Sequence, residues 1–173
     1  PSGFAIHARS AVPDPEMIAG FKSVATSLVS DCMGRIVGSI GLKAWHGKDH
    51  MCGSALTVRV RPGDNLMIHK ALELACAGDV LVVDGAGDMT QALMGGLMRA
   101  RMLKRGLAGA VVNGVIRDLA EWQDGGFPIF ALGVTHRGPT KDGPGEINVP
   151  ISCAGLVVLP GDLVLGDLDG VVA

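Results

Sequence analysis

The stretch GDVLVVDGAGDMTQALMGGLMRARMLKRGLAGAVVNGVIRD, residues 78–118, reads as strand, glycine-rich turn, helix, strand and charged turn in one unit. Asp79 to Val83 is a short valine-rich apolar run, the pattern of a strand covered on both faces. The chain then breaks at Gly85-Ala86-Gly87. From Leu97 to Lys104 the spacing of Leu97, Ala100, Met102 and Leu103 gives a helix with one apolar face, and Gly106 stands where its C-terminal stop belongs. Ala110 to Val112 is the next buried strand. Strand, helix and strand over this length form a right-handed crossover that sets two parallel strands side by side. Ligands of open α/β sheets bind at the C-terminal edge of such strands. At that edge the sequence places Asp84 and Asp88 after the first strand and Arg117-Asp118 after the second.

Arg117-Asp118 is the pair best suited to chemistry. Asp118 offers a hard oxygen ligand to a divalent cation that keeps most of its waters, as magnesium does. Arg117 offers a planar fork of donors for a carboxylate. Gly95-Gly96 presents backbone N–H groups near the start of a helix, whose positive end favours anions. Together these can hold an anionic substrate against a metal ion. Each part alone also has a plainer reading, because an Arg-Asp pair in a turn is commonly a surface ion pair or cap, and Gly-Gly is commonly a turn.

Outward from this stretch, 173 residues with 48% hydrophobic and 18% charged side chains fill one core, so residues 1–173 read as a single domain. The formal charge of −2 and a pI near 6.2 give no general pull toward nucleic acid or an anionic membrane. The 26 glycines and 3% aromatics imply tight turns and a core of small aliphatics. So low a charged fraction also suggests apolar surface buried between subunits. No apolar run reaches the roughly 18–20 residues that span a bilayer. Cys32, Cys52, Cys76 and Cys153 are scattered without a CxxC pair and read as reduced packing residues of a cytoplasmic protein. Pro1 in place of methionine reads as a trimmed start, and Gly170-Val-Val-Ala173 stops inside an apparent strand.

Asp14-Pro15-Glu16 carries the signals of a helix start, and Ile18, Phe21, Val24, Ala25 and Leu28 mark the buried face of one helix running to about Cys32. Asp31 reads as a solvated acid at its end. Trp45, His46 and His50 lie in a polar turn, where Gly47 and the missing glutamate argue against zinc. Ser54 to Val60 alternates as a half-exposed strand, and Gly63-Asp64-Asn65 caps a helix from Leu66 to Ala75 in which His69 reads as structural. Gly85 and Gly87 follow a strand, but the third glycine of a dinucleotide fingerprint would fall at Thr90, and no phosphate loop is present. After Asp118 come a short helix, Leu119 to Gln123, and a strand, Pro128 to Leu132. The loop from Gly133 to Gly145 carries His136, Arg137 and Lys141, either as a cover for an anionic substrate or as a solvated loop. Short strands fill Ile147 to Val172, with Asp162, Asp167 and Asp169 as turn acids.

These segments resemble one family. Asp79-Val-Leu-Val-Val-Asp84-Gly, Gly95-Gly-Leu-Met98, Gly106-Leu-Ala-Gly-Ala110 and Gly114-Val-Ile-Arg-Asp118 are similar to the RraA-like family. That family holds 4-hydroxy-4-methyl-2-oxoglutarate aldolases and the regulator of ribonuclease E activity A. Gly53 to Val58, Gly63 to Leu66, Asn148 to Ile151 and Pro160 to Asp162 match its flanking strands and turns. The resemblance implies an α/β fold in the swivelling β/β/α arrangement, a mixed sheet with flanking helices, assembled as a homotrimer or a pair of trimers with sites at subunit boundaries. It also implies a further C-terminal segment.

The function it implies is a magnesium- or manganese-dependent class II aldolase that releases pyruvate from 4-hydroxy-4-methyl-2-oxoglutarate or 4-carboxy-4-hydroxy-2-oxoadipate and decarboxylates oxaloacetate. Arg117 would bind the substrate carboxylate and keto oxygen, Asp118 the metal, and the backbone of Gly95, Gly96, Leu97 and Met98 would complete the pyruvate pocket. The aldolase pattern has an acid twenty residues before Arg-Asp, where this chain has Gly96. That departure leaves three outcomes open: weakened metal binding, transfer of the role to Asp84 or Asp88, or a protein that binds without aldol chemistry, like the regulator.

Overall fold

The structure, a computed structural model, describes residues 3–9, 12–47 and 50–173. In chain order its elements are β1 (Phe4–Ile6), α1 (Pro15–Phe21), α2 (Thr26–Cys32), β2 (Lys43–Ala44), β3 (Met51–Val60), α3 (Leu66–Leu74), β4 (Asp79–Met94) and α4 (Gly96–Arg105). They continue with β5 (Gly109–Ile116), α5 (Leu119–Gln123), β6 (Ile129–Val134), β7 (Gly145–Ile147), β8 (Ile151–Cys153), β9 (Leu156–Val158), β10 (Leu163–Asp167) and β11 (Gly170–Val172).

The central sheet runs β1-β7-β3-β4-β5-β6-β2, with β10 paired to β3 and to β11. Strands β3, β4, β5 and β6 are mutually parallel, while β7 and β10 join β3 antiparallel and β2 joins β6 antiparallel, so the sheet is mixed. Alternation along the parallel strands sends side chains to two cores. Leu56, Leu81, Val83, Val112 and Ile116 pack against Ile68 of α3, Met98 and Met102 of α4 and Trp122 of α5. Ala55, Val80, Val82 and Val111 pack on the other face against Ile151, Cys153, Leu156 and Val158 of the β8–β9 hairpin. The layers are therefore hairpin, sheet and helices. No helix among the described residues is long and apolar enough to cross a membrane.

Three local expectations change. β3 is not half-exposed: both faces are covered, and of its residues only Arg59 is exposed. The single helix expected from Asp14 to about Cys32 is two. Asp14 Oδ1 accepts from Glu16 N–H at 2.8 Å and opens α1 as expected, but Ala25 is extended and α2 begins anew at Thr26. The cause is distant in sequence. Thr26 N–H and its hydroxyl donate to Asp167 Oδ2 and Oδ1 at 2.8 and 2.7 Å, so the end of β10 supplies the cap that ends one helix and starts the next. Leu28, placed on a buried face by a single-helix reading, is 60% exposed.

The third change concerns β4, which does not stop at Gly85-Ala86-Gly87. Ala86 and Gly87 take left-handed backbone angles, φ 56° and 71°, and the strand bulges out and returns. Its pairing with β5 resumes through register shifts at Asp88, Ala92 and Met94. That excursion delivers Met94 opposite Ile116, and hence Gly95 beside Arg117.

Candidate active site

The backbone of Arg117 is held from two sides. Arg117 N–H donates to Met94 O at 2.9 Å, and Arg117 O accepts from the indole Nε1–H of fully buried Trp122 at 2.8 Å. Asp118 itself sits at φ 60°, a left-handed conformation that an aspartate adopts at a local energetic cost. The turn thus aims two side chains rather than merely ending a strand.

Asp118 Oδ2 accepts the Gly96 N–H at 2.9 Å, so the anion at the start of α4 is the protein's own carboxylate. Met98 N–H turns back to Gly95 O at 3.0 Å. The glycines are needed for closeness. A Cβ on Gly95 would stand 2.4 Å from Asp118 Oδ2, and one on Gly96 would stand 1.9 Å from Glu121 Oε2. Arg117 Nε lies 3.8 Å from Asp118 Oδ2, with the side chains 41% and 43% exposed, so the two neighbours do not close on each other. The guanidinium lies where a side chain at Gly138 would stand, 2.9 Å from a Cβ built there.

Both residues line a cavity of about 330 Å³ with Gly95, Leu97, Met98, Asn65, His69, Arg101 and Lys141. Its charged lining is cationic, Arg101, Arg117 and Lys141, apart from Asp118. Arg101 Nη1 lies 3.2 Å from His69 Nδ1, so this nitrogen acts as acceptor and the ring is neutral, with its proton on Nε2. Burial lowers the His69 pKa first, and the charges of Lys141 and Arg101 lower it further. Asn65 Nδ2 donates to Leu93 O at 3.1 Å, which fixes its amide, while its buried Oδ1 has no partner. An unsatisfied buried acceptor on a cavity wall marks a place for a ligand donor.

Asp64, wholly buried, ties the cavity walls together. Its Oδ1 accepts Leu66 N–H at 3.0 Å at the start of α3, and its Oδ2 accepts the Thr140 hydroxyl and Asp142 N–H, each at 2.7 Å. The residues on both sides of Lys141 are thereby fixed to the helix that carries Asn65 and His69. Burial opposes ionisation of Asp64, but these hydrogen bonds outweigh it and lower its pKa.

Of the residues singled out in the sequence, Gly95, Leu97, Met98, Arg117 and Asp118 converge on the cavity, with Gly96 just behind them. Lys141 joins them from the Gly133–Gly145 loop, whereas His136 and Arg137 do not line the cavity. Asp84 and Asp88 stand outside it: Asp84 accepts Ala86 N–H at 3.0 Å and Asp88 accepts the Thr90 hydroxyl at 2.8 Å, both within their own turns. Asp31 pairs with Arg35 on the surface at 3.2 Å. His46 is buried with Nδ1 3.0 Å from Ile129 N.

Asn65 and Arg101 are not legible as site residues in the sequence, and His69 reads there as structural. One signal was available. Asn65 and His69 stand at i and i+4 at the start of one helix, as Leu97 and Arg101 do on another, so each pair shares a face.

Comparison with known proteins fits this geometry. Residues 26–173 match the RraA-like family, described as Aldolase/RraA. A Halalkalibacterium halodurans protein, named provisionally as a 4-hydroxy-4-methyl-2-oxoglutarate aldolase, is 41% identical over 157 residues, 90% of this chain and 75% of the relative. A Thermus thermophilus protein named 4-hydroxy-4-methyl-2-oxoglutarate aldolase is 39% identical over 74% of this chain and 77% of its own. Among solved structures, a Thermus thermophilus RNA-processing inhibitor RraA superposes with a TM-score of 0.78 at 35% identity, covering 86% of this chain and 91% of that one. A Streptomyces coelicolor protein described as an unusual member of the RNase ES inhibitor RraA family gives 0.85 at 28% identity over 95% and 86%. The match over residues 26–173, together with these identities, establishes that the chain belongs to the RraA-like family.

Proposed function

We propose that this chain is a divalent-metal-dependent lyase that releases pyruvate from 4-hydroxy-4-methyl-2-oxoglutarate or 4-carboxy-4-hydroxy-2-oxoadipate, with decarboxylation of oxaloacetate as a related activity. The observation that carries the reading is the Arg117-Asp118 pair, whose charged groups do not close on each other, held on a strained, hydrogen-bonded turn over a cavity with cationic side chains at the C-terminal edge of β5. The aldolase names of its relatives support it.

The donor set fits a hydrated hard cation. Among the described residues no group of three or more His, Cys, Asp or Glu comes together. A metal at Asp118 would therefore hold to few protein oxygens and keep its waters, as magnesium and manganese do. Bound there, it would supply Lewis-acid stabilisation of charge on the keto oxygen.

The protein's own groups do the rest. Arg117 grips the 2-oxo acid end and offers donors to the charge that builds on the keto oxygen as the C3–C4 bond breaks. Arg101 and Lys141 answer the carboxylate at the far end. Asn65 Oδ1 accepts a hydrogen bond from the C4 hydroxyl, satisfying its one unpaired atom. Leu97 lines the cavity yet is 83% exposed, an apolar side chain that a neighbouring copy would cover in a homotrimer or pair of trimers.

The test is pyruvate release from 4-hydroxy-4-methyl-2-oxoglutarate and from oxaloacetate, in magnesium or manganese and again with chelator. Metal-dependent release that Asp118→Ala abolishes is the expected result. A folded protein that releases no pyruvate from either substrate refutes the reading. In that case a second reading gains: a regulator that acts through protein binding, favoured by its structural relatives and by Gly96 in place of an acid.

A further inference from the structure

Asp64 holds the Lys141 loop from one side only. It fixes Thr140 and Asp142, but the return of the loop, Gly143-Pro144-Gly145, carries no side chain larger than proline and turns at Gly143 with φ 70°. The other side is supplied by the N-terminal strand. β1 pairs parallel with β7, Phe4 opposite Gly145, Ala5 opposite Glu146 and Ile6 opposite Ile147. Gly145 N–H donates to Gly3 O at 3.0 Å, His7 N–H to Ile147 O at 3.1 Å and Asn148 Nδ2 to His7 O at 2.9 Å.

Because β7 runs antiparallel to β3, with Gly145 opposite Val60, β1 enters the sheet at the C-terminal edge of the parallel strands, the edge of the cavity. There the Phe4 ring takes the space that a side chain on Gly143 would need. A Cβ built on Gly143 would collide with Cε1 and Cζ of that ring, and Leu66 Cδ2 of α3 borders the same space, 3.6 Å from that Cβ.

Core packing does not account for β1. Phe4 is 37% and Ile6 51% exposed, and the strand lies outside residues 26–173, which match the family. Its backbone bonds and the Phe4 ring fall instead on residues 143–148, the outer side of the loop that brings Lys141 to the cavity. An ammonium on a flexible four-carbon stem is placed only as well as the backbone beneath it is held.

We propose that Phe4 is a positioning residue for Lys141: β1 clamps the outer side of the 139–145 loop, as Asp64 clamps its inner side, and so sets the cation that meets the far carboxylate of the substrate. Only that last role rests on the lyase reading above.

The experiment compares Phe4→Ala, Phe4→Leu and Ile6→Ala in the full chain. It reads amide hydrogen exchange of residues 139–145, and kcat and KM for pyruvate release from 4-hydroxy-4-methyl-2-oxoglutarate. In Phe4→Ala we expect faster exchange in 139–145 with β4 and β5 unchanged, and a KM raised about 10-fold, the scale of one charged hydrogen bond, at a kcat close to wild type. Phe4→Leu, which refills the space, should recover most of both losses. Ile6→Ala, on the same strand but opposite Ile147, should alter neither. Wild-type exchange in Phe4→Ala, or equal loosening in Ile6→Ala, overturns the clamp. Faster exchange with an unchanged KM overturns the positioning role, because Lys141 then keeps its place without Phe4. Where the wild-type protein releases no pyruvate, the lyase reading fails, and exchange alone upholds or overturns the clamp.

Discussion

Two of the arginine–aspartate pairs among the described residues, Arg9–Asp79 and Arg117–Asp118, lie at opposite edges of the parallel strands, and they differ in burial, spacing and bonding. At the N-terminal edge, Arg9 grips Asp79 with both ends of its fork, Nη1 to Oδ1 and Nη2 to Oδ2, each at 2.6 Å. Cys76 N–H adds a third bond to Asp79 at 2.7 Å, and the aspartate side chain is 4% exposed. At the C-terminal edge, Arg117 and Asp118 are sequence neighbours held 3.8 Å apart, both more than two-fifths exposed. The first pair is saturated. The hydrogen bonds that Arg9 donates to Asp79 raise the Arg9 pKa against the burial that would lower it, and both oxygens of the Asp79 carboxylate are taken. The second pair keeps the Arg117 guanidinium and Asp118 Oδ1 open, because the fold bonds its backbone and, of its side-chain atoms, only Asp118 Oδ2 through the Gly96 N–H. A closed pair does structural work, and an open pair on a locked turn is what a binding site requires.

Breaking the closed pair gives the largest stability effect. Arg9→Ala leaves Asp79 buried with only backbone support and costs about 3 kcal/mol, the low end for a buried pair because Arg9 is only partly buried. Urea unfolding measures it. Trp122→Phe sharpens the contrast from the other side, removing the donor that holds Arg117 O. A loss of about 1–2 kcal/mol in stability is expected, together with a raised KM as the Arg117 turn loosens; an unchanged KM would show that the turn is held without the indole. Thr26→Ala removes one bond of the distant cap and costs about 1 kcal/mol in the same urea assay.

The smallest effect is on pH dependence. Burial opposes ionisation of Asp64 and Asp167, yet the hydrogen bonds of Thr140, Leu66 and Asp142 to the one, and of Thr26 and Asp169 to the other, bring both pKa values below the ordinary carboxylate value. A depressed folded pKa contributes stability that is present above the unfolded value, near 4, and is lost as pH falls through the folded values. Stability should therefore decline on acidification below about pH 4, and less steeply in Asp167→Asn. An identical acid profile in that variant would remove Asp167 from the account.

The contrast also explains what was legible in the sequence. The valine runs of β4 and β5 could be read because strands covered on both faces must be apolar throughout. Leu119–Gln123 appears as expected, and Arg117-Asp118 stood out as charge at a predicted strand end. What could not be read depends on partners far along the chain. The break between α1 and α2 is imposed by Asp167, the run of β4 past Gly87 by renewed pairing with β5, and the cavity wall by Asn65 and His69 arriving with α3 and Arg101 with α4. The crowding at Gly96 was equally illegible, because the carboxylate that a side chain there would meet, that of Glu121, comes from another helix.

The central claim is that the open edge performs chemistry and the closed edge only holds the fold. It is tested by measuring pyruvate release per folded molecule, with manganese, in Arg9→Ala and Arg117→Ala side by side. The account predicts wild-type turnover in Arg9→Ala at a temperature where it remains folded, and a loss of about 10²–10³-fold in Arg117→Ala with stability changed by less than about 1 kcal/mol. Equal turnover in the two variants, or loss in Arg9→Ala alone, would contradict it.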